Sequence, residues 1–129
     1  MRIDDYFSRI LGLVEDRSSV VAHSLRFDRR TDRTGFVRGE IVFSDEKTLH
    51  VREFVDLDSE PRRLLYVYQF MGKDDSMLFR YDNSGHHKSI VTFPHHKHVG
   101  ADETIEASVA PELDAVLDEV DELLDLQAM

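Results

Sequence analysis

The chain has 129 residues, 41% of them apolar, so it can build one domain with a hydrophobic core and is not a wholly disordered protein. It has no cysteine, which excludes disulfides and thiolate zinc sites. The net charge of −10 comes from the part after residue 100, which carries acids and no base. This acidity disfavours unspecific nucleic-acid binding, but the electrically balanced first 100 residues leave room for a local basic site.

Both ends of the chain have apolar residues at spacings of three and four, which predicts two amphipathic helices. The first covers residues 3–16, and the second covers residues 111–126, where Pro111 suits the first turn. The second helix is strongly acidic. We expect its leucine stripe to pack on a sheet with the acids in water, although the acids also suit a basic partner or the protein's own arginines.

Between the helices the apolar period changes to two, which predicts strands joined by short turns and therefore an antiparallel meander. Residues 63–71 are apolar on both faces except at Gln69, so we expect a central strand covered on both sides. A further short strand is compatible with residues 90–93. The apolar positions that mark the other strands are Val21, Leu25 and Phe27, then Val37, Ile41 and Phe43, then Leu49, Val51 and Val55, and finally Met77, Phe79 and Tyr81.

The predicted fold class is α+β, with an antiparallel meander sheet of about five to six strands and a helix at each end of the chain. We expect one domain over residues 1–129. It divides into an N-terminal helix (1–17), the sheet (18–82), a histidine-rich loop (83–108) and the acidic C-terminal helix (109–127). The N-terminus does not read as a signal peptide, and no segment approaches the roughly 20 apolar residues of a membrane span. We therefore expect a cytoplasmic protein without membrane contact.

Five of the seven histidines fall within residues 80–99. Imidazole exchanges protons near neutral pH, so two of these histidines with an adjacent arginine can cleave RNA without a metal. The same residues, completed by Asp82 or Glu53, also suit a metal ion, although their spacing matches no zinc signature. A polar surface loop without chemistry is the third interpretation.

Two further segments carry charge in a suggestive pattern. Arg80 and Asp82 share one face at the end of a predicted strand. They could belong to a functional site there, or they could form an ordinary ion pair at the edge of the sheet. Residues 26–38 hold five arginines and two aspartates. This hairpin suits the backbone of a nucleic acid, or its charges simply keep it soluble.

The motif Arg80-Tyr81-Asp82-Asn83, followed by His86-His87 and by the run Phe93 to His98, resembles the TumE-type toxin components of prokaryotic toxin–antitoxin modules. The resemblance covers roughly residues 40–126 and is most specific in the histidine segment. It implies a toxin whose partner is a helix-turn-helix antitoxin. The positions that map onto the family's pattern are Glu53, Arg80, Asp82, Asn83, His86, His87, His95, His96, Lys97 and His98.

These observations combine into a hypothesis of a toxin that acts as a metal-independent ribonuclease with no cofactor. Two of the five clustered histidines would be acid and base, with Asp82 orienting an imidazole. The substrate-binding residues would be Arg80, Asn83, Lys97 and Glu53. The alternatives are a non-catalytic protein that binds a partner and a metal-dependent hydrolase. A homodimer is also compatible with the sequence, because two helices cannot cover every apolar face.

Overall fold

The computed structural model describes residues 1–84, 94–100 and 104–128, and it contains two helices and eight strands within them. The helices are α1 (Ile3–Glu15) and α2 (Leu113–Ala128). The strands are β1 (Val20–His23), β2 (Arg26–Arg29), β3 (Thr34–Phe43), β4 (Thr48–Asp56), β5 (Arg63–Met71), β6 (Met77–Asp82), β7 (His96–Val99) and β8 (Thr104–Ala107). In this part of the chain, no helix has the length and apolarity that crossing a bilayer requires.

All the strands belong to one antiparallel sheet. Its order is β1-β3-β4-β5-β6-β7-β8, and β2 also pairs with β3. From β3 onward each strand pairs with the next one in the chain, so the meander and the α+β class are confirmed. Short connections explain most of this local connectivity, because a turn of four to six residues, as after β3, β4, β5 and β7, joins antiparallel neighbours. The connection from β6 to β7 is longer and covers residues 83–95.

Both helices pack on the same face of the sheet. Each inserts its apolar stripe there, and each stripe lies at the spacing that the sequence indicates. The buried residues are Ile3, Phe7, Ile10 and Val14 from α1, Leu113, Val116, Leu117 and Val120 from α2, and alternate residues of β3 to β6 such as Val37, Leu49, Tyr68 and Phe79. We call this the helix face, and the opposite surface of the sheet the open face.

The sequence predictions for the strands are wrong in three respects. The first predicted strand is two strands, because its regular pairing with β3 is interrupted at Ser24 and Leu25. The strand β5 is central but not covered on both sides, because both helices lie on one face and Leu65 on the other side is 37% exposed. The segment 83–108 is not only a loop, because it contains β7 and β8. The possible strand at 90–93 lies outside the described residues.

Gly39 makes the break between β1 and β2 possible. Its φ is +147°, a conformation that side chains rarely allow, and a Cβ there would lie 2.9 Å from Leu25 Cα and still closer to the carbonyl oxygen of Ser24. The Ser24 backbone N–H donates to the carbonyl oxygen of Glu40 at 2.9 Å. The residues between β1 and β2 therefore pass close to β3 at a position that has no side chain.

Candidate functional site

The neighbouring strands β6 and β7 bring four of the predicted site residues together on the open face. In their pairing, Arg80 lies opposite His98. Asp82 in turn lies opposite His96. Since side chains alternate along a strand and Phe79 faces the helices, these four point away from them. We call Arg80, Asp82, His96 and His98 the Asp82 cluster.

Asp82 is the centre of this cluster, and its side chain is 2% exposed. Its Oδ2 accepts a 2.7 Å hydrogen bond from Arg80 Nε and lies 3.4 Å from His98 Nε2. Its Oδ1 lies 2.8 Å from His96 Nε2 and accepts from the Ser84 backbone N–H at 3.0 Å. Burial alone would raise the pKa of Asp82, but the Ser84 N–H, Arg80 and the charge of His96 together lower it. The carboxylate is therefore charged at neutral pH.

The two histidines of the cluster differ in access. His96 Nδ1 lies 3.0 Å from the carbonyl oxygen of Pro94, and since a carbonyl only accepts, this nitrogen donates. The opposite nitrogen faces Asp82, so the ring is held in one orientation between two oxygens. The side chain of His96 is 1% exposed and that of His98 is 14% exposed. His98 is therefore the more accessible of the two imidazoles, and His96 is enclosed beside Asp82.

The structure does not bring His95 and Lys97 into this cluster. The Nδ1 of His95 lies 2.9 Å from the hydroxyl oxygen of Tyr66, whose side chain faces the helices. Burial, with the nearby charge of Arg63, lowers the pKa of His95. Lys97 Nζ lies 2.8 Å from Glu119 Oε2 of α2. Alternation along the chain therefore divides the histidine run between the two faces of the sheet.

His95 belongs to a second candidate site, a cleft of about 410 Å³ on the helix side. Tyr66 also lines it, and burial raises the pKa of this tyrosine to about 12. The lining is mixed in charge, because cationic and acidic side chains alternate around it. Its other lining residues are Tyr6, Arg9, Glu60, Pro61, Arg62, Arg63, Ala110 and Glu112.

Two other predicted site residues have structural roles. Glu53 is 1% exposed on the helix face, where Tyr6 and Tyr68 both donate their hydroxyl protons to its carboxylate. Burial raises the pKa of Glu53 despite these two bonds. Asn83 accepts from the Tyr66 N–H at 3.0 Å and donates to the Leu64 carbonyl oxygen at 3.1 Å, so it joins β5 to the end of β6. His86 and His87 lie outside the described residues.

Sequence reasoning found only part of the surface beside the cluster, because the basic segment 26–38 includes Arg38 but does not join it to Arg52. A trough of about 340 Å³ on the open face is lined by Arg38, Arg52, Val67 and Arg80, together with Glu40 and His50. Arg80 Nη1 donates to Gln69 Oε1 at 3.0 Å, which holds the guanidinium at the trough. The missed signal is the even-numbered arginines of β3 and β4, which alternate with buried apolar residues.

The Asp82 cluster also has the donor set of a metal site. One nitrogen of His96, one nitrogen of His98 and a carboxylate oxygen of Asp82 lie within 4.8 Å of one another. Two histidines and one carboxylate suit several first-row transition metals. The hydrogen bond from His96 Nδ1 to a carbonyl is also usual for a metal-binding histidine. Against a divalent cation stands Arg80, whose guanidinium already contacts the carboxylate.

The comparisons with known proteins agree with the resemblance of the histidine segment. A family model described as Toxin TumE matches residues 10–124 of the chain. The chain therefore belongs to the TumE toxin family, as a toxin component of a toxin–antitoxin module, and the family implies an antitoxin partner. The match includes residues 10–15 at the C-terminal end of α1, and it includes the first hairpin. No curated protein and no solved structure matches the chain.

Proposed function

We propose that this TumE family toxin arrests growth by cleaving RNA in the cytoplasm, with the Asp82 cluster as its active site. The observation that supports this is one part-exposed imidazole, His98, held beside a buried carboxylate and an arginine. RNA transesterification uses a base, a fixed anion that stabilises the protonated base, a cation for the phosphoryl group and an acid for the leaving oxygen, and the Asp82 cluster offers the first three.

In this reaction His98 takes the proton of a ribose 2′-hydroxyl. The 2′ oxygen attacks the adjacent phosphorus, so the O2′–P bond forms as the P–O5′ bond breaks. Arg80 stabilises the charge on the non-bridging oxygens, and Asp82 stabilises the imidazolium that forms. A second protonated imidazole gives its proton to the leaving 5′ oxygen. His86 and His87 of the same segment are the candidates for this acid. The products are a 2′,3′-cyclic phosphate and a 5′-hydroxyl.

The test of this function is growth and total RNA after induction of the wild type, His98→Ala and His23→Ala. His23 lies on β1 beside Glu15 and far from the cluster in the sheet, so it controls for the loss of a histidine. We expect growth arrest with RNA fragments ending in cyclic phosphate for the wild type and His23→Ala, and neither for a folded His98→Ala. Arrest with intact RNA would refute the nuclease and favour the non-catalytic, partner-binding alternative.

A metal-dependent hydrolase is the second candidate, and the three ligand atoms within 4.8 Å are the observation that favours it. In that case one metal ion held by Asp82, His96 and His98 would lower the pKa of a bound water. We expect purified protein to keep its RNA cleavage after dialysis against a chelator. Loss of cleavage, with recovery on adding zinc or manganese, would establish the metal reading instead.

The TumE family implies an antitoxin partner for this chain. We expect an antitoxin with a helix-turn-helix domain, encoded next to the toxin. The homodimer that the sequence suggests also stays a prediction. Co-purification of the toxin with the product of the adjacent gene, and its mass in solution alone, test both expectations.

A further inference from the structure

Three arginines lie side by side across three strands of the open face. In the strand pairing, Arg26 of β2 lies opposite Arg38 of β3. Arg38 in turn lies opposite Arg52 of β4. All three are exposed, and in the described part of the chain none of them forms an ion pair or a side-chain hydrogen bond. We call Arg26, Arg38 and Arg52 the arginine row.

This arrangement costs the fold free energy. Like charges directly opposite one another on neighbouring strands repel. Exposure to water does not explain the alignment, because arginines at other surface positions would be equally solvated. Other arginines of the same segment do have acidic partners, as Arg30 has Asp28 at 3.1 Å and Arg33 has Asp58 at 2.9 Å. Binding of an anionic partner would therefore stabilise the arginine row.

The row leads to the Asp82 cluster. The register continues from Arg52 to Val67 of β5 and from Val67 to Asp82 of β6, with His96 next. Neighbouring strands are about 4.8 Å apart, so Arg52 and Asp82 are separated by roughly 10 Å along this line. Arg38, Arg52 and Arg80 also line one continuous trough, in which Glu40 is the acidic residue.

Aromatic rings border the row on its far side. Phe36 lies one pleat from Arg38, and Phe54 lies opposite Phe36, with ring centroids 4.6 Å apart. Both rings are partly exposed on the open face. The guanidinium of Arg30 lies 5.2 Å from the centre of the Phe36 ring, which leaves Phe54 as the freer of the two. Surfaces that bind single-stranded nucleic acids combine basic side chains along the path of the phosphate backbone with aromatic side chains on which bases stack.

We propose that the open face is the binding surface for single-stranded RNA, with phosphates on the arginine row and a base against Phe54. This inference rests on the proposed function and names how its substrate is held. The strand runs across β2, β3 and β4 and brings its next phosphate to Arg80. The acidic C-terminal helix lies on the other side of the sheet, so its carboxylates do not line this surface.

The experiment measures binding of a short unstructured RNA oligonucleotide at several salt concentrations, in a His98→Ala background that prevents cleavage. The test variant is Arg38→Gln/Arg52→Gln. The control is Arg33→Gln/Lys73→Gln, which removes the same charge from exposed ion pairs elsewhere. We expect the test variant to lose about tenfold or more in affinity at low salt. Its slope of log affinity against log salt should be shallower by about 1.4 than that of the control.

A third variant, Phe54→Leu, separates base contacts from phosphate contacts. It should weaken binding while leaving the salt slope unchanged, because a ring makes no phosphate contact. Equal affinity for Phe54→Leu and the parent would overturn the base contact. Equal affinity for a duplex RNA would overturn the preference for single strands.

The outcomes distinguish this inference from the proposed function. Unchanged affinity and salt slope in Arg38→Gln/Arg52→Gln would overturn the arginine row, even if the wild type cleaves RNA. Row-dependent binding without any cleavage by the wild type would support the row and refute the nuclease. If the row is needed for purified antitoxin and not for RNA, the inference is wrong and the surface is a protein interface.

Discussion

Replacing Asp82 by asparagine should destabilise the protein far more than an ordinary surface substitution. The side chain of Asp82 is 2% exposed and contacts Arg80 at 2.7 Å and His96 at 2.8 Å. Removing one member of a buried ion pair costs about 3–5 kcal/mol. Because the Arg80 side chain is 37% exposed and can turn toward water, we expect the lower end, about 3 kcal/mol. For a chain of this size, that is a fall in Tm of roughly 10 °C.

The assay is urea and thermal unfolding at several pH values, with Asp58→Asn as the matched control. Asp58 is 66% exposed in its ion pair with Arg33, so its loss should cost at most about 1 kcal/mol. Since the pKa of Asp82 is lowered by folding, its contribution is present above pH about 4 and is lost as the pH falls further. The difference between the variant and the wild type should shrink in that range. Equal stabilities of the Asp82→Asn and Asp58→Asn variants at pH 7 would refute the buried ion set.

Substitutions at Glu53 and Gly39 test the buried carboxylate and the unusual backbone conformation. Because folding raises the pKa of Glu53, the wild type should lose stability as the pH rises through that folded-state pKa. Glu53→Gln should remove this loss, as measured by unfolding curves at pH 5 and pH 8. An identical pH dependence in both proteins would contradict the buried carboxylate. Gly39→Ala should destabilise by at least about 2 kcal/mol, whereas Gly12→Ala in α1, where the new methyl meets no atom within 4 Å, should stabilise by about 0.5–1 kcal/mol. Equal effects of the two alanines would show that Gly39 is not held at its unusual φ.

The elements of the fold that repeat an apolar pattern could be predicted from the sequence. The stripe of α1 and the alternation of β3, β4 and β6 are each set by local spacing, and each forms where that spacing indicates. The prediction for β5 was wrong because apolar residues on both faces of a strand do not ensure that other elements pack on both faces. β7 and β8 were missed because their polar residues, such as His96 and Glu106, have no apolar alternation to show a strand.

The candidate site could be predicted in its residue types but not in its geometry. Pairing of Arg80 with Asp82 follows from positions two apart on one strand. The separation of His95 from His96 could not be foreseen without knowing that a strand begins there, since in a loop both rings can turn to one side. The trough remained hidden because Arg38 and Arg52 are 14 residues apart and meet only through the register of β3 and β4.

The histidine run alternates between the two sides of the sheet, so the register of β7 against β6 decides which side chain lies opposite Asp82. A slip of one residue would carry His96 and His98 to the side of the helices and set Lys97 against Asp82. A slip of any odd number of residues moves both imidazoles to the other side together, because His96 and His98 lie on one face of β7. Changes of length in this part of the chain must therefore be absorbed outside β7. In the slipped register Asp82 would lie opposite Lys97 in place of His96, as a simple lysine–aspartate ion pair.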